Sequence, residues 1–419
     1  MGDRGSNNEP ANATDIAQMK KLVHEAIDAG ALGVSTSRVL GHRAMNGEPV
    51  PGTFAAENEL YGLGEALRDA GSGVFELAPA GADGQDLGNA PKEMQWMKRL
   101  SATIQRPVTF ALLQNETEPS LWKQLLEESL EATEQGSQCF PQVAGRPFGL
   151  LIGLQTHHAF AKRPTFINIA HLPHNELVEQ LQQSSTRSAI LNETDTDPDP
   201  KILFDGMSRM IQSMLHRLYP MGEIPDYEPD PTKSFVSIAE TKNTTPEAVL
   251  YDYMLENDGY AMGMMPIFNY VDGNHDVIRE MLLHPQAVSG LSDGGAHCGM
   301  ICDASIPTFM LSHWTRDRTR GKKLPLEWII KKQTNDTASL YGLNDRGTLH
   351  AGKRADINVI DYNALTLHGP KMAHDLPAGG RRLLQEATGY DYTIVAGTIT
   401  RQSGQDTGQR PGRLIRGAR

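Results

Sequence analysis

The chain has 419 residues, 39% hydrophobic and 21% charged, which is enough to bury a large core in an ordinary globular composition. Its net charge of −12 disfavours nucleic acid and anionic membrane as partners, and no apolar run is long enough to span a bilayer. Three cysteines, Cys139, Cys298 and Cys302, cannot build a disulfide framework, and no basic-then-apolar leader opens the chain, so the expected compartment is reducing and cytoplasmic.

Residues 1–14 are polar, and Thr14 is the expected N-cap of a helix over 15–29 with Ile16, Met19, Leu22, Val23, Ala26 and Ile27 on one face. Strands follow at 31–37, 73–78, 107–113 and 138–143, separated by helices at 57–70, 91–104 and 119–134. Alternation at this tempo predicts parallel βαβ units. Residues 144–200 read as a Gly/Pro-punctuated loop with His157-His158, then a helix over 175–190 and an acidic run. An excursion spans 201–232. A strand is expected at 234–238, then a helix opened by Thr245-Pro246, a strand at 261–268, a helix over 274–284 and another over 325–341. The fold class expected for 1–344 is therefore α/β and barrel-like. The turn-rich approach to 357–361 and the hairpin-like pair at 392–399 predict a small β-rich portion over 345–419.

One stretch carries the clearest chemistry. Val288 and Leu291 lie in a short apolar run that breaks at Asp293-Gly294-Gly295, a backbone able to turn sharply and leave a carboxylate at the end of a strand. In a parallel barrel that end is the catalytic face, where Asp293 could take a proton from water or ligate a metal, and His297 could contact substrate. The plain alternative is an ordinary strand-to-loop turn. Arg38, just after the first strand, could grip a substrate carboxylate, or simply form a surface salt bridge. His157 and His158 read as loop histidines, Asp303 and Arg316 as a pair, and Cys298 with Cys302 as buried small residues rather than metal ligands.

These residues resemble a known family. Asp345-Arg-Gly through Asp361 looks like the C-terminal return of metal-dependent amidohydrolases into their small β-sandwich. Gly33-Val-Ser-Thr-Ser37, Pro51-Gly-Thr53, Glu59-Leu60, Gly290 through His297, Ile301 through Ser305, Thr308, His313-Trp314 and Asp375 through Gly380 are similar to the D-aminoacylase (N-acyl-D-amino-acid deacylase) branch. The resemblance implies a (β/α)8 barrel and a divalent metal, zinc by expectation, that activates water to cleave a carbon–nitrogen amide bond of a small substrate. Asp293 would be the proton carrier and could also ligate the metal, and self-association would be compatible with it. The chain departs from the pattern in two ways. It has no His-x-His or His-x-Asp, so the opening strands and their metal ligands are expected in a segment preceding Met1. For the same reason Met1 is taken as internal, and the formal myristoylation pattern over residues 1–6 is set aside. Gln114 and Gln142 stand where middle-strand histidine ligands are expected, and glutamine is a poor zinc ligand. A non-catalytic relative, or a cyclic amidase or lactonase on the same barrel, are the competing readings.

Overall fold

The computed structural model describes all residues except Met45, Asp83, Pro200, Lys201, Leu203, 291–298 and 417–419. Asp293, His297 and Cys298 thus lie outside the described residues.

The parallel unit forms as the alternation predicts. Strands β1 (Gly33–Ser37), β2 (Val74–Ala78), β3 (Val108–Ala111), β4 (Cys139–Ala144) and β8 (Val288–Gly290) make a five-stranded sheet in the order β1-β2-β3-β4-β8, every pair parallel. The first two strands come unusually close. A Cβ on Gly33 would lie 2.0 Å from the Val74 carbonyl oxygen, so only glycine fits at the head of β1. Helices Glu57–Ala70, Ala90–Ile104 and Leu121–Glu134 connect these strands and bury Leu60, Leu67, Met94, Met97, Leu100, Ile104, Trp122 and Leu126 with Phe75, Leu77, Val108 and Phe110 in one core. Burying such side chains is the main force holding a layered α/β unit together.

Strands β5 (Phe148–Ile152), β6 (Tyr219–Pro220) and β7 (Gly263–Phe268) form a separate antiparallel sheet in the order β5-β7-β6. The strand read from 261–268 therefore exists, but it runs against β5 instead of joining the parallel sheet. β5 lies in the stretch read as loop. A second core of Leu150, Ile152, Phe160, Ile211, Leu218, Phe235, Leu250 and Met265 covers this sheet. The expected strand at 234–238 is a helix, Phe235–Lys242. Ser234 caps it, its Oγ accepting the Ser237 N–H at 3.2 Å, and that local bond outweighs the β-branched Val236 and Ile238. The first long helix, Ala13–Asp28, is capped by Asn12 rather than Thr14. The Asn12 Oδ1 accepts from Thr14 and Asp15, and Asp15 reaches back to the Asn12 N–H in a reciprocal capping box.

The helix expected over 325–341 is broken into Leu326–Lys331, a π-helical turn Lys332–Asp336, and Thr337–Leu340. Lys332 points inward, is 7% exposed, and its ammonium donates to the Ala287 carbonyl at the head of β8. Beyond it the chain is β-rich. Strands β9 (Ile357–Ile360), β10 (Thr366–Leu367), β11 (Lys371–Ala373), β12 (Arg382–Leu384), β13 (Ala387–Thr388), β14 (Tyr390–Val395), β15 (Thr398–Gln402) and β16 (Gln405–Asp406) make an antiparallel sheet β16-β15-β14-β9 and two short ribbons. Ala396 and Gly397, both with positive φ, form the two-residue turn between β14 and β15, the kind that matches the twist of a hairpin. Among the described residues no helix is long and apolar enough to cross a membrane.

Candidate functional site

Two places in this fold concentrate chemistry. The first is the carboxyl end of the parallel sheet. Arg146 follows β4 by two residues and is 1% exposed. Its Nη2 donates to Asp303 Oδ1 at 3.0 Å and to the Cys302 carbonyl at 2.5 Å, and its guanidinium lies 3.8 Å from the centre of the Tyr227 ring. The expected Asp303–Arg316 pair does not form. Asp303 pairs with Arg146, while Arg316 pairs with Asp317 and donates to the carbonyls of Tyr362, Asn363 and Leu365. Arg38 is no surface pair either. Its Nε donates to the buried Glu93 at 2.8 Å and its Nη1 to the Ala55 carbonyl at 2.7 Å, and it sits over Trp96. Gln114 is 2% exposed and bridges the loops after β3 and β7. Its backbone N–H donates to Asn269 Oδ1 at 2.7 Å, while its side-chain Oε1 accepts from the Val271 N–H at 3.3 Å. Gln142 lies in β4 opposite Val288 of β8. His158 is buried against Phe160 and Phe166, its Nδ1 accepting the Phe160 N–H, and burial with neighbouring His157 pushes it down to about 3. These described residues at the strand ends do not make a metal-ligand set.

The second place does. Glu228, His275 and His313 bring one oxygen and two nitrogens within 4.8 Å of one another, the one such group of three found among the described residues. Glu228 comes from the Pro/Asp-rich loop after β6. His275 stands just before the helix Asp276–Leu283, and His313 begins a π-helical turn, His313–Asp317, that continues the helix Ile306–Ser312. His313 Nε2 lies 3.1 Å from Glu228 Oε2 and 3.2 Å from His275 Nδ1, and His275 Nδ1 lies 3.7 Å from Glu228 Oε2. The His275 Nε2–H donates to the Tyr227 carbonyl at 2.8 Å, which leaves Nδ1 as the lone-pair nitrogen facing the other two. Burial pushes His275 down to about 3, so the ring is neutral. Burial works to raise Glu228, but the bonds from His313 and Arg318 overcome it and hold the carboxylate well below its usual range. The Arg318 guanidinium grips Glu228 at 2.8 and 3.0 Å and also reaches Asp276 at 2.8 Å. Phe309 stacks on His313 at 4.5 Å, and Trp314 flanks His275. A cleft of about 810 Å³ opens elsewhere, beside Tyr253, Tyr260, Met262 and Lys371 at the start of β7, and shares no lining residue with this cluster.

Of the three, only His313 carries a signal in the sequence, as part of the His313-Trp314 motif; Glu228 is one acid in an acidic loop, and His275 lies outside the family-like motifs.

The sequence profile of the amidohydrolase family matches residues 1–401. The chain belongs to the amidohydrolase family. This amidohydrolase is 26% identical to an uncharacterized protein of Mycobacterium tuberculosis and to one of Mycobacterium bovis over 429 aligned residues, which cover 94% of the chain. It spans 64% of the length of those relatives. Its fold is that of D-aminoacylase, solved in work on a binuclear metal centre, with a TM-score of 0.55 at 18% identity over 99% of this chain and 68% of that one. It also resembles N-acyl-D-glutamate deacylase from Bordetella bronchiseptica, solved with zinc and a phosphonate inhibitor, with a TM-score of 0.53 at 16% identity over 98% and 68% of the two chains.

Proposed function

We propose that this amidohydrolase cleaves the carbon–nitrogen bond of N-acyl-D-amino acids or similar small amides, with Asp293 as the proton carrier. The observation that carries the reading is the seating of β8. Its register beside β4 brings the chain to Gly290 at the carboxyl end of a parallel sheet, three residues before Asp293, and that end is where sites form in parallel α/β folds. Family membership and the D-aminoacylase fold support it. A bound divalent ion, zinc in this reading, would bring the pKa of water toward neutrality and polarise the amide carbonyl. Asp293 takes the proton of the attacking water and hands it to the leaving nitrogen. A carbon–oxygen bond forms, the carbon–nitrogen bond breaks, and a carboxylate and a free D-amino acid leave. His297 contacts the substrate in this scheme.

Gln114, whose Oε1 accepts the Val271 N–H and whose Nε2 lies 3.4 Å from Asp272 Oδ2, has its side chain engaged by the loop after β7, and this favours the competing reading of a non-catalytic relative. Purified protein with zinc, assayed on a panel of N-acetyl-D- and L-amino acids, separates the two. Hydrolysis confined to the D series, reduced about a hundredfold or more by Asp293→Asn, is expected. An unchanged rate in Asp293→Asn overturns the assigned role; hydrolysis only of added cyclic amides or lactones moves the conclusion to that class, and no hydrolysis of any of these substrates moves it to the non-catalytic reading.

A further inference from the structure

We infer that Glu228, His275 and His313 form a binding site for a borderline divalent cation such as zinc, one that does not need Asp293 as a ligand. The dimensions carry this. A tetrahedral ion with bonds of 2.0–2.1 Å to nitrogen and oxygen requires ligand atoms about 3.3–3.4 Å apart. The three edges here are 3.1, 3.2 and 3.7 Å, one face of such a tetrahedron. Two imidazoles with one carboxylate suit zinc, and magnesium or calcium would want more oxygens.

The outer partners have the arrangement that metal-binding histidines use. The Tyr227 carbonyl fixes the His275 tautomer with Nδ1 turned inward, and Glu228 is oriented by Arg318 and by the His275 backbone N–H at 2.7 Å. Charge is compatible as well. Arg318 is one cation shared between two carboxylates, Glu228 and Asp276, so that trio keeps one negative charge. Arg320 is matched by Asp230 at 3.6 Å. The π-helical turn that starts at His313 is a rare conformation, over-represented at functional sites. The alternative occupant of the triangle is a single proton on His313 Nε2, shared between Glu228 and His275. The inference does not depend on the hydrolase reading, because metal binding is read without substrate.

Chelator-treated protein is titrated with zinc against a chromophoric competitor, and cobalt(II) is used as a spectroscopic stand-in. The variants are Asp293→Ala, His313→Asn and His275→Asn, each checked by thermal melting. The expected result is one equivalent of zinc retained in Asp293→Ala and weakened by about a hundredfold or more in His313→Asn, beyond what losing an outer partner costs. Four-coordinate cobalt bands should vanish with it. Should the buried His275 variant fail to fold, the zinc-edge absorption spectrum of the Asp293→Ala protein still decides, with two imidazoles and light oxygen ligands expected. Undiminished affinity in His313→Asn, loss of all zinc in Asp293→Ala, or no stoichiometric zinc in the parent would each overturn the assignment and leave the shared proton.

Discussion

Arg146 and Asp303 meet at 3.0 Å with side chains 1% and 6% exposed, tying the end of β4 to the loop that follows the segment containing Asp293. Desolvating two charges is costly, and removing one partner takes a buried ion pair apart. Arg146→Met is expected to destabilise the protein by about 3–5 kcal/mol. Urea unfolding followed by circular dichroism would measure it, and a loss below about 1 kcal/mol would mean that the pair is far better hydrated than its burial implies.

Gly145, beside Arg146, faces the helix Ile306–Ser312. A Cβ there would lie 2.2 Å from Met310 Sδ, and the Gly145 carbonyl accepts the Trp314 Nε1–H at 2.7 Å. Gly145→Ala should cost about 1–3 kcal/mol by overpacking. Because the clash is with one flexible side chain, Gly145→Ala with Met310→Ala should cost less than the sum of the single changes. Strict additivity in the melting curves would contradict the predicted clash.

For Arg38, stability and substrate affinity make opposite forecasts. Its ion pair with the nearly buried Glu93 predicts that Arg38→Met lowers the melting temperature, and that Arg38→Met with Glu93→Met regains most of the loss. A variant with an unchanged melting temperature and a raised KM for carboxylated substrates would instead assign Arg38 to substrate binding.

His158 gives the protein an acid-sensitive term. Its folded pKa is about 3, against 6.5 for the free side chain, because burial and neighbouring His157 disfavour the cation. Below about pH 6.5 the unfolded chain takes up a proton that the folded one refuses. Stability should therefore fall as pH drops from about 6.5 toward 3, by up to about 1.4 kcal/mol per pH unit from this group. His158→Asn keeps an acceptor for the Phe160 N–H and removes the titration. Denaturant midpoints at pH 7 and 5 should differ less in this variant than in the parent.

The parallel sheet was legible because its strands are short apolar runs set between helices whose periodicity is clear, as with Pro107–Leu113 and the following Leu121–Glu134 helix. β5 was not, because Phe148–Ile152 follows Gly145, Arg146 and Pro147, residues that read as a loop until antiparallel pairing with β7 is known. Ser234–Ile238 misled through its β-branched residues, a propensity that a serine cap overrode. The Glu228–His275–His313 cluster has no local signal as a cluster, although His313-Trp314 is among the family-like motifs. Its members are separated by 47 and 38 residues, and only the folded chain brings them within a hydrogen bond of one another. Gln114 can be picked out of the sequence, but the contact of its side chain with Val271, 157 residues away, is a fact of tertiary structure.

The inward Lys332, fastened to the Ala287 carbonyl, turns the root of β8 into something that can be timed. An amine-reactive reagent reaches exposed lysines in the intact protein, but Lys332 can be modified only when the root of β8 lets go. Its acylation half-life, read by peptide mass spectrometry, should lag behind that of the exposed Lys331 and serve as a clock for excursions of the strand that leads to Asp293.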